Sequence, residues 1–312
     1  MTLRVVFFGT PEFAIPSLSG LLEAGFDVPL VVTQPDRPVG RHAETRPSAV
    51  ALWAKQKRVS TSKPERMRGN GELLQRLEEV EPDAIAVVAF GRILPAKILA
   101  LPRLGCVNVH ASLLPRYRGA SPVQAAILAG DRETGVVTMR MEEGLDAGPL
   151  YLERRLAIGD RETAGELSAR LASAGAELLV RTLRGLAEGS LTARPQQGEP
   201  SFCGSIRRAD AEVDWNRSAT ELERRLRAYT PWPGLFTFLD GERIKILEAG
   251  VWKGGIDGEP GSFAVDRGEL VVAAGGGSAL RLDRLQRAGR KPVTGAEFAR
   301  AARLPGRFQS AR

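Results

Sequence analysis

Asn108 and His110 stand two residues apart in the run Cys106-Val107-Asn108-Val109-His110, which reads as the end of a β-strand. Side chains two apart on a strand share a face, so an amide and an imidazole point the same way. The amide can donate a hydrogen bond, and the imidazole titrates nearer neutrality than any other side chain. Such a pair suits hydrogen-bond donation and proton movement at the mouth of a sheet, where α/β enzymes bind ligands. A lone histidine there would read as a satisfied strand-end residue, but a polar turn and a basic loop follow it, from Ala111-Ser112-Leu113-Leu114-Pro115 to Arg116-Tyr117-Arg118-Gly119.

The elements that must position this pair are legible around it. Short apolar runs at 4–8, 28–33, 84–89, 106–110 and 135–141 alternate with helical patterns. That alternation predicts an α/β fold, with a Rossmann-like parallel sheet and crossover helices. After the first run, Thr10 can cap a helix and Pro11 suits its first position. The turn is not Gly-x-Gly-x-x-Gly, so a dinucleotide is not indicated. Ser121-Pro122 opens a short helix that Gly130 ends. Thr163 and Glu166 form a capping box. Behind them Leu167, Leu171, Ala174, Leu178, Thr182 and Leu186 recur at helical spacing as a core stripe, and Gly189 can stop the helix.

Beyond this helix the texture changes. The segment 190–206 is rich in Pro, Gly and Gln, has no sustained period, and reads as a linker. Ser218 and Glu221 cap another helix. Short runs at 235–239, 243–247, 261–265, 270–274 and 279–285 then predict a small, OB-like β-barrel. Gly275-Gly276-Gly277 reads as a hairpin turn rather than a phosphate cradle, since no helix follows it. The expected division is a catalytic domain over 1–189, a linker over 190–206 and a C-terminal barrel over 207–312.

A hydrophobic content of 43% supports packed cores, and no apolar run is long enough to span a membrane. The N-terminus reads as a buried strand rather than a leader. Cys106 and Cys203 are too few for a disulfide framework and lack metal-ligand spacing, so no metal and a reducing cytoplasm are expected. The net charge of +7 suggests an anionic partner. From Arg281 to Arg312 nine Arg or Lys face two acids, an excess equal to that of the whole chain. This tract is either a solvated basic surface or a nucleic-acid footprint.

Asn108-x-His110 followed by Ser112-Leu113-Leu114-Pro115-x-x-Arg118-Gly119 resembles the signature of the 10-formyltetrahydrofolate-dependent formyltransferases. That pattern adds an aspartate, here Asp146 in Gly144-Leu145-Asp146-Ala147-Gly148-Pro149. Gly9-Thr10-Pro11-Glu12-Phe13, Thr33-Gln34-Pro35-Asp36-Arg37-Pro38-Val39-Gly40-Arg41, Val87 through Pro95, 126–141, Asp214-Trp215, Tyr229 through Gly234 and Ala288-Gly289-Arg290-Lys291 extend the likeness to methionyl-tRNA formyltransferases. The resemblance implies transfer of a formyl group from 10-formyltetrahydrofolate to the amino group of initiator methionyl-tRNA, for translation initiation. Asn108, His110 and Asp146 become the catalytic trio, with both Asn108 and a protonated His110 donating to the developing oxyanion. Asp146 would orient the imidazole, raise its pKa and take up a proton. Ser112 lies outside any Gly-x-Ser-x-Gly elbow and is not a nucleophile.

By the same resemblance Phe90, Gly91, Arg92, Ile93 and Leu94 line the folate pocket, and Ser112, Leu113, Leu114 and Pro115 form its contacting loop. On their own, Leu113 and Leu114 could be core residues and Pro115 a turn stiffener. Arg37, Arg41 and Arg46 in the loop 35–47, together with Arg290 and Lys291, are the expected tRNA contacts. The loop departs from the common family pattern, with His42-Ala43-Glu44-Thr45 where relatives often carry lysines. Three readings compete: this tRNA enzyme; a sugar-nucleotide amine formyltransferase, which generally lacks the loop from Gln34 to Arg41; and a folate- or RNA-binding module without turnover, which the intact trio argues against. A glycinamide ribonucleotide formyltransferase would be shorter and would lack the second domain. A monomer acting on tRNA and folate, without a membrane, is the expected form.

Overall fold

A computed structural model describes residues 2–39, 44–254, 256–302 and 306–310. The chain divides into two compact units: 1–122 with 133–157 and 168–204, and 123–132 with 158–167 and 205–312.

The first unit is built on a seven-stranded sheet. Its order is Leu150–Ala157, Glu133–Arg140, Cys106–His110, Ala84–Val88, Val5–Gly9, Val31–Val32 and Thr61–Ser62. The five strands from Cys106–His110 to Thr61–Ser62 run parallel. Glu133–Arg140 and Leu150–Ala157 are added antiparallel at one edge. An apolar run has the same pattern in either direction, so the reversal at that edge is invisible in the sequence. Strands Val5–Gly9, Ala84–Val88 and Cys106–His110 are buried along their whole lengths, as expected for a parallel sheet covered on both faces. The run expected over 28–33 pairs only at Val31–Val32, because Pro29 has no N–H to give the ladder.

On one face the helix Gly71–Val80, capped by Asn70 through the Leu73 N–H, places Leu73 and Leu77 against Ile85 and Val87. The helix Ala164–Ala187 begins at the Thr163–Glu166 capping box. Gly175 within it lies against the strand that carries His110: a Cβ there would come 2.7 Å from Val109 Cγ1. Only a glycine lets this helix seat so closely. Two turns on, Thr182 meets Thr138 of the neighbouring strand at 2.7 Å.

Residues 190–204, within the segment 190–206 expected as a linker, fall in the first unit. It pairs at Arg194 with Leu150, and its strand Phe202–Cys203 runs parallel to Arg118–Gly119.

In the second unit, strands Phe236–Leu239, Glu242–Trp252, Ala279–Arg287, Glu269–Ala273, Ser262–Asp266 and Gly306–Arg307 follow one another as antiparallel neighbours. Gln309 then bridges back to Phe238, nearly closing a barrel. The interior holds Trp215, Phe263, Phe298 and Phe308. Trp215 stacks on Phe308 with ring centres 5.7 Å apart and donates from Nε1 to Thr237 Oγ1 at 3.1 Å. Gly275–Gly277 forms the tight turn between Glu269–Ala273 and Ala279–Arg287. Among the described residues no helix is long and apolar enough to cross a membrane.

Candidate active site

The parallel register sets Val87 beside Asn108 and Val88 beside Val109. The turns that follow both strands therefore open at one end of the sheet. Asn108 and His110 lie there, 9% and 6% exposed. Among the described residues the Asn108 amide makes no hydrogen bond, so its N–H groups are free for a ligand.

The His110 ring is held at both nitrogens. Nε2 lies 3.0 Å from the Tyr117 carbonyl oxygen. A carbonyl can only accept, so Nε2 carries a proton. Nδ1 faces Asp146 Oδ2 at 3.6 Å. That oxygen also accepts the Gly119 N–H at 2.9 Å. Burial pushes the imidazole pKa down, against the opposing pulls of the Asp146 carboxylate and the Tyr117 hydrogen bond. Asp146 pulls the imidazole pKa up, as the sequence reading has it, but desolvation pulls it down more strongly. A neutral ring with its proton on Nε2 leaves an unprotonated Nδ1 opposite a carboxylate. This gap is ready to receive one proton.

Residues from a distant segment brace the arrangement. Gln196 Nε2 donates to the carbonyls of Asp146 and Gly148, both at 2.8 Å, and its Oε1 accepts from Arg118 Nη2 at 2.7 Å. Ser201 Oγ accepts the Tyr117 N–H at 2.9 Å. The Cys203 thiol lies 3.4 Å from the Tyr117 carbonyl. Gly119, at φ 120°, is held so close to this segment that a Cβ would come 2.2 Å from the Cys203 carbonyl oxygen. Nothing in the sequence marks Gln196 and Ser201, or ties Cys203 to this site, since no periodicity picks them out and their partners lie up to 86 residues away.

The residues assigned to folate fall into two groups. Gly91 and Ile93 face outward, Ile93 being 89% exposed. The rest brace the turns. Phe90 packs edge-on against Phe8 with ring centres 5.1 Å apart, and its carbonyl accepts from Gln34 Nε2 at 2.8 Å. Arg92 donates to the carbonyls of Pro64 and Glu65. Leu94 is core. Ser112 is fully buried and donates to the Arg116 carbonyl at 2.6 Å. Leu113 packs over Gly135, Leu114 joins Val137, Met139 and Leu150, and the buried Pro115 offers its carbonyl to the Ser201 N–H.

Among the expected tRNA contacts, Arg37 and Arg46 sit opposite one another on a hairpin, Arg37 bonded to Gln34 and Arg46 to Glu44. Arg41 and His42 lie outside the described residues. Arg290 and Lys291 are exposed in the turn after Ala279–Arg287. Their basic neighbours are paired: Arg281 with Asp283, Arg284 with Glu248, Arg287 with Glu242 and Arg307 with Glu259. Among the described residues no group of three His, Cys, Asp or Glu could hold a metal ion.

Comparison with known proteins agrees with this architecture. The chain is 45% identical to methionyl-tRNA formyltransferase of Methylococcus capsulatus over 306 residues, 98% of this chain and 99% of the relative. It is 43% identical to that of Caldanaerobacter subterraneus, over 97% of this chain and 98% of the relative. Among solved structures, an N-formyltransferase from Helicobacter canadensis, in complex with folinic acid and dTDP-3-aminofucose, superposes with a TM-score of 0.65 at 17% identity, covering 92% of this chain and all of that one. HypX from Aquifex aeolicus, in complex with tetrahydrofolic acid, has a TM-score of 0.60 at 16% identity over 96% of this chain and 47% of that one. At such identities these two likenesses speak for the fold alone. The family model for formyl transferase matches residues 3–183 and that for the formyl transferase C-terminal domain matches 205–303, so the chain belongs to the formyl transferase family.

Proposed function

We propose that this chain transfers the formyl group of 10-formyltetrahydrofolate to the amino group of initiator methionyl-tRNA. The observation that carries the reading is the strand mouth itself, where an Asn108 amide without a hydrogen bond among the described residues lies beside a His110 whose Nδ1 faces Asp146. Relatives over 40% identical along nearly the whole chain are methionyl-tRNA formyltransferases, which supports the substrate.

The reaction needs a neutral attacking amine, a polarised formyl carbonyl and a protonated leaving nitrogen. The Asn108 amide donates to the formyl oxygen as charge gathers on it. Loss of one such donor typically costs a hundred- to thousandfold. The amine nitrogen bonds to the formyl carbon and releases a proton into the gap between His110 Nδ1 and Asp146, directly or through water. The imidazolium so formed is stabilised by the carboxylate and by the Tyr117 carbonyl. The bond from the formyl carbon to the folate nitrogen breaks, and that nitrogen leaves with the proton handed back from the imidazolium, directly or through water. Both folate and tRNA are substrates here. Gly91 and Ile93 are the outward groups beside the strand mouth available to the pterin, and Leu94, Ser112 and Leu114 serve by shaping the turns. Arg37, Arg41, Arg46, Arg290 and Lys291 serve the tRNA phosphates. All of these residues come from one chain, so a monomer suffices, and the two free thiols suit a cytoplasmic setting.

The test is formylation with 10-formyltetrahydrofolate, offering charged initiator tRNA in one reaction and a UDP-aminosugar in the other. Product on the tRNA alone is expected. Product on the sugar alone would establish the sugar-amine reading instead.

A further inference from the structure

The segment between the two matched regions carries more of the site than its composition suggests. Every donor of the Gln196 amide is spent on the strand mouth, on the carbonyls of Asp146 and Gly148, while its oxygen takes the Arg118 guanidinium. One carboxamide therefore ties the turn bearing the Asp146 carboxylate to the loop bearing the Tyr117 carbonyl and the Gly119 N–H. Further along, Ser201 holds the Tyr117 peptide by its N–H and accepts the Arg118 N–H at its own carbonyl, while the Ala120 N–H bonds to the Cys203 carbonyl. Asp146 and Tyr117 both adopt left-handed backbone angles, φ 47° and 58°. Such residues persist only where their surroundings hold them.

We propose that Gln196, seconded by Ser201, is a positioning residue for formyl transfer: it fixes the Asp146 carboxylate and the Tyr117 carbonyl against the two nitrogens of His110. Neither residue touches substrate. Gln196 acts on the rate because the proton-accepting gap of 3.6 Å is set by a backbone that its amide anchors. Displacements of about 1 Å at a reacting centre cost roughly a hundredfold.

The inference rests on the formyl-transfer reading, so wild-type turnover on methionyl-tRNA is measured first; its absence would sink that reading and leave the anchoring hydrogen bonds standing. With wild type active, Gln196→Ala is expected to lower kcat by roughly ten- to a hundredfold while KM for both substrates stays within about twofold. Gln196→Glu keeps the size and the acceptor for Arg118 but has no N–H to give the two carbonyls. It should be impaired as severely as Gln196→Ala. Wild-type kcat in either Gln196 variant, or a loss confined to KM, overturns the proposal. Where a Gln196 variant does not fold, Ser201→Ala carries the test, with a smaller fall in kcat expected and an unchanged kcat overturning it.

Discussion

The strand mouth around His110 and the basic tract from Arg281 onward both stand out in the sequence, one by rarity and the other by charge. Folding treats them differently. At the strand mouth a residue pattern of fixed spacing becomes a fixed geometry, His110 between Tyr117 and Asp146. In the basic tract four of the cations meet acids, three of these acids lying on other strands or turns: Glu242, Glu248 and Glu259. Of the tract's described cations, Arg290 and Lys291 stay exposed and adjacent with no ion pair in the structure. Spacing along a strand survives folding because the strand enforces it. Net charge does not, because its partners arrive from elsewhere.

The contrast can be broken most sharply at the strand mouth. Asn108→Ala and His110→Ala should each lower turnover by about a hundred- to a thousandfold, with melting temperature little changed, as read by single-turnover formylation beside thermal denaturation. Wild-type turnover in Asn108→Ala would remove the oxyanion role. Asp146→Asn should approach His110→Ala in effect, and the double variant should be far from multiplicative, since groups that share one proton act as a unit. Multiplicative losses would show that the two work separately.

In the basic tract the test is the dependence of tRNA affinity on salt. Arg290→Ala with Lys291→Ala should weaken binding and flatten the slope of log affinity against log salt by about 0.7–0.9 for each phosphate no longer neutralised. Arg284→Ala, whose guanidinium already meets Glu248 at 3.4 Å, should alter that slope less. Equal effects would mean that surface pairing does not withdraw a cation from the footprint. The smallest effect concerns stability. His110 is buried neutral, with its pKa below the ordinary imidazole value. The unfolded chain binds a proton there that the native site resists, so this contribution is complete above the ordinary value and is lost as pH falls below it. Replacing His110 by Asn should flatten that acid limb in denaturant titrations.

Much of the fold was legible because its signals are local. Burial on both faces marked the parallel strands, and Thr163–Glu166 and Ser218–Glu221 close as the capping boxes their spacing predicts. The trio was legible through Asn108 and His110 on one strand and through family likeness for Asp146. What bonding across the chain decides was not. The protonation of His110 depends on burial, and the bracing by Gln196 depends on bonds spanning about 50 residues. Leu114 and Leu94, read as pocket residues, share the apolar pattern of the core they join.

Closure of the barrel at Gln309 has a consequence for synthesis. The Gln309 N–H and carbonyl bond to Phe238 and Thr237, and Phe308 stacks on Trp215 and packs against Phe263. These partners leave the ribosome some 45 to 93 residues earlier and must wait for the closing segment. A nascent chain that still has residue 309 in the exit tunnel holds an open barrel with Trp215 unsheathed. The second unit therefore stays open to proteases and chaperones until residue 309 has emerged, by which time the first unit already has every residue it needs.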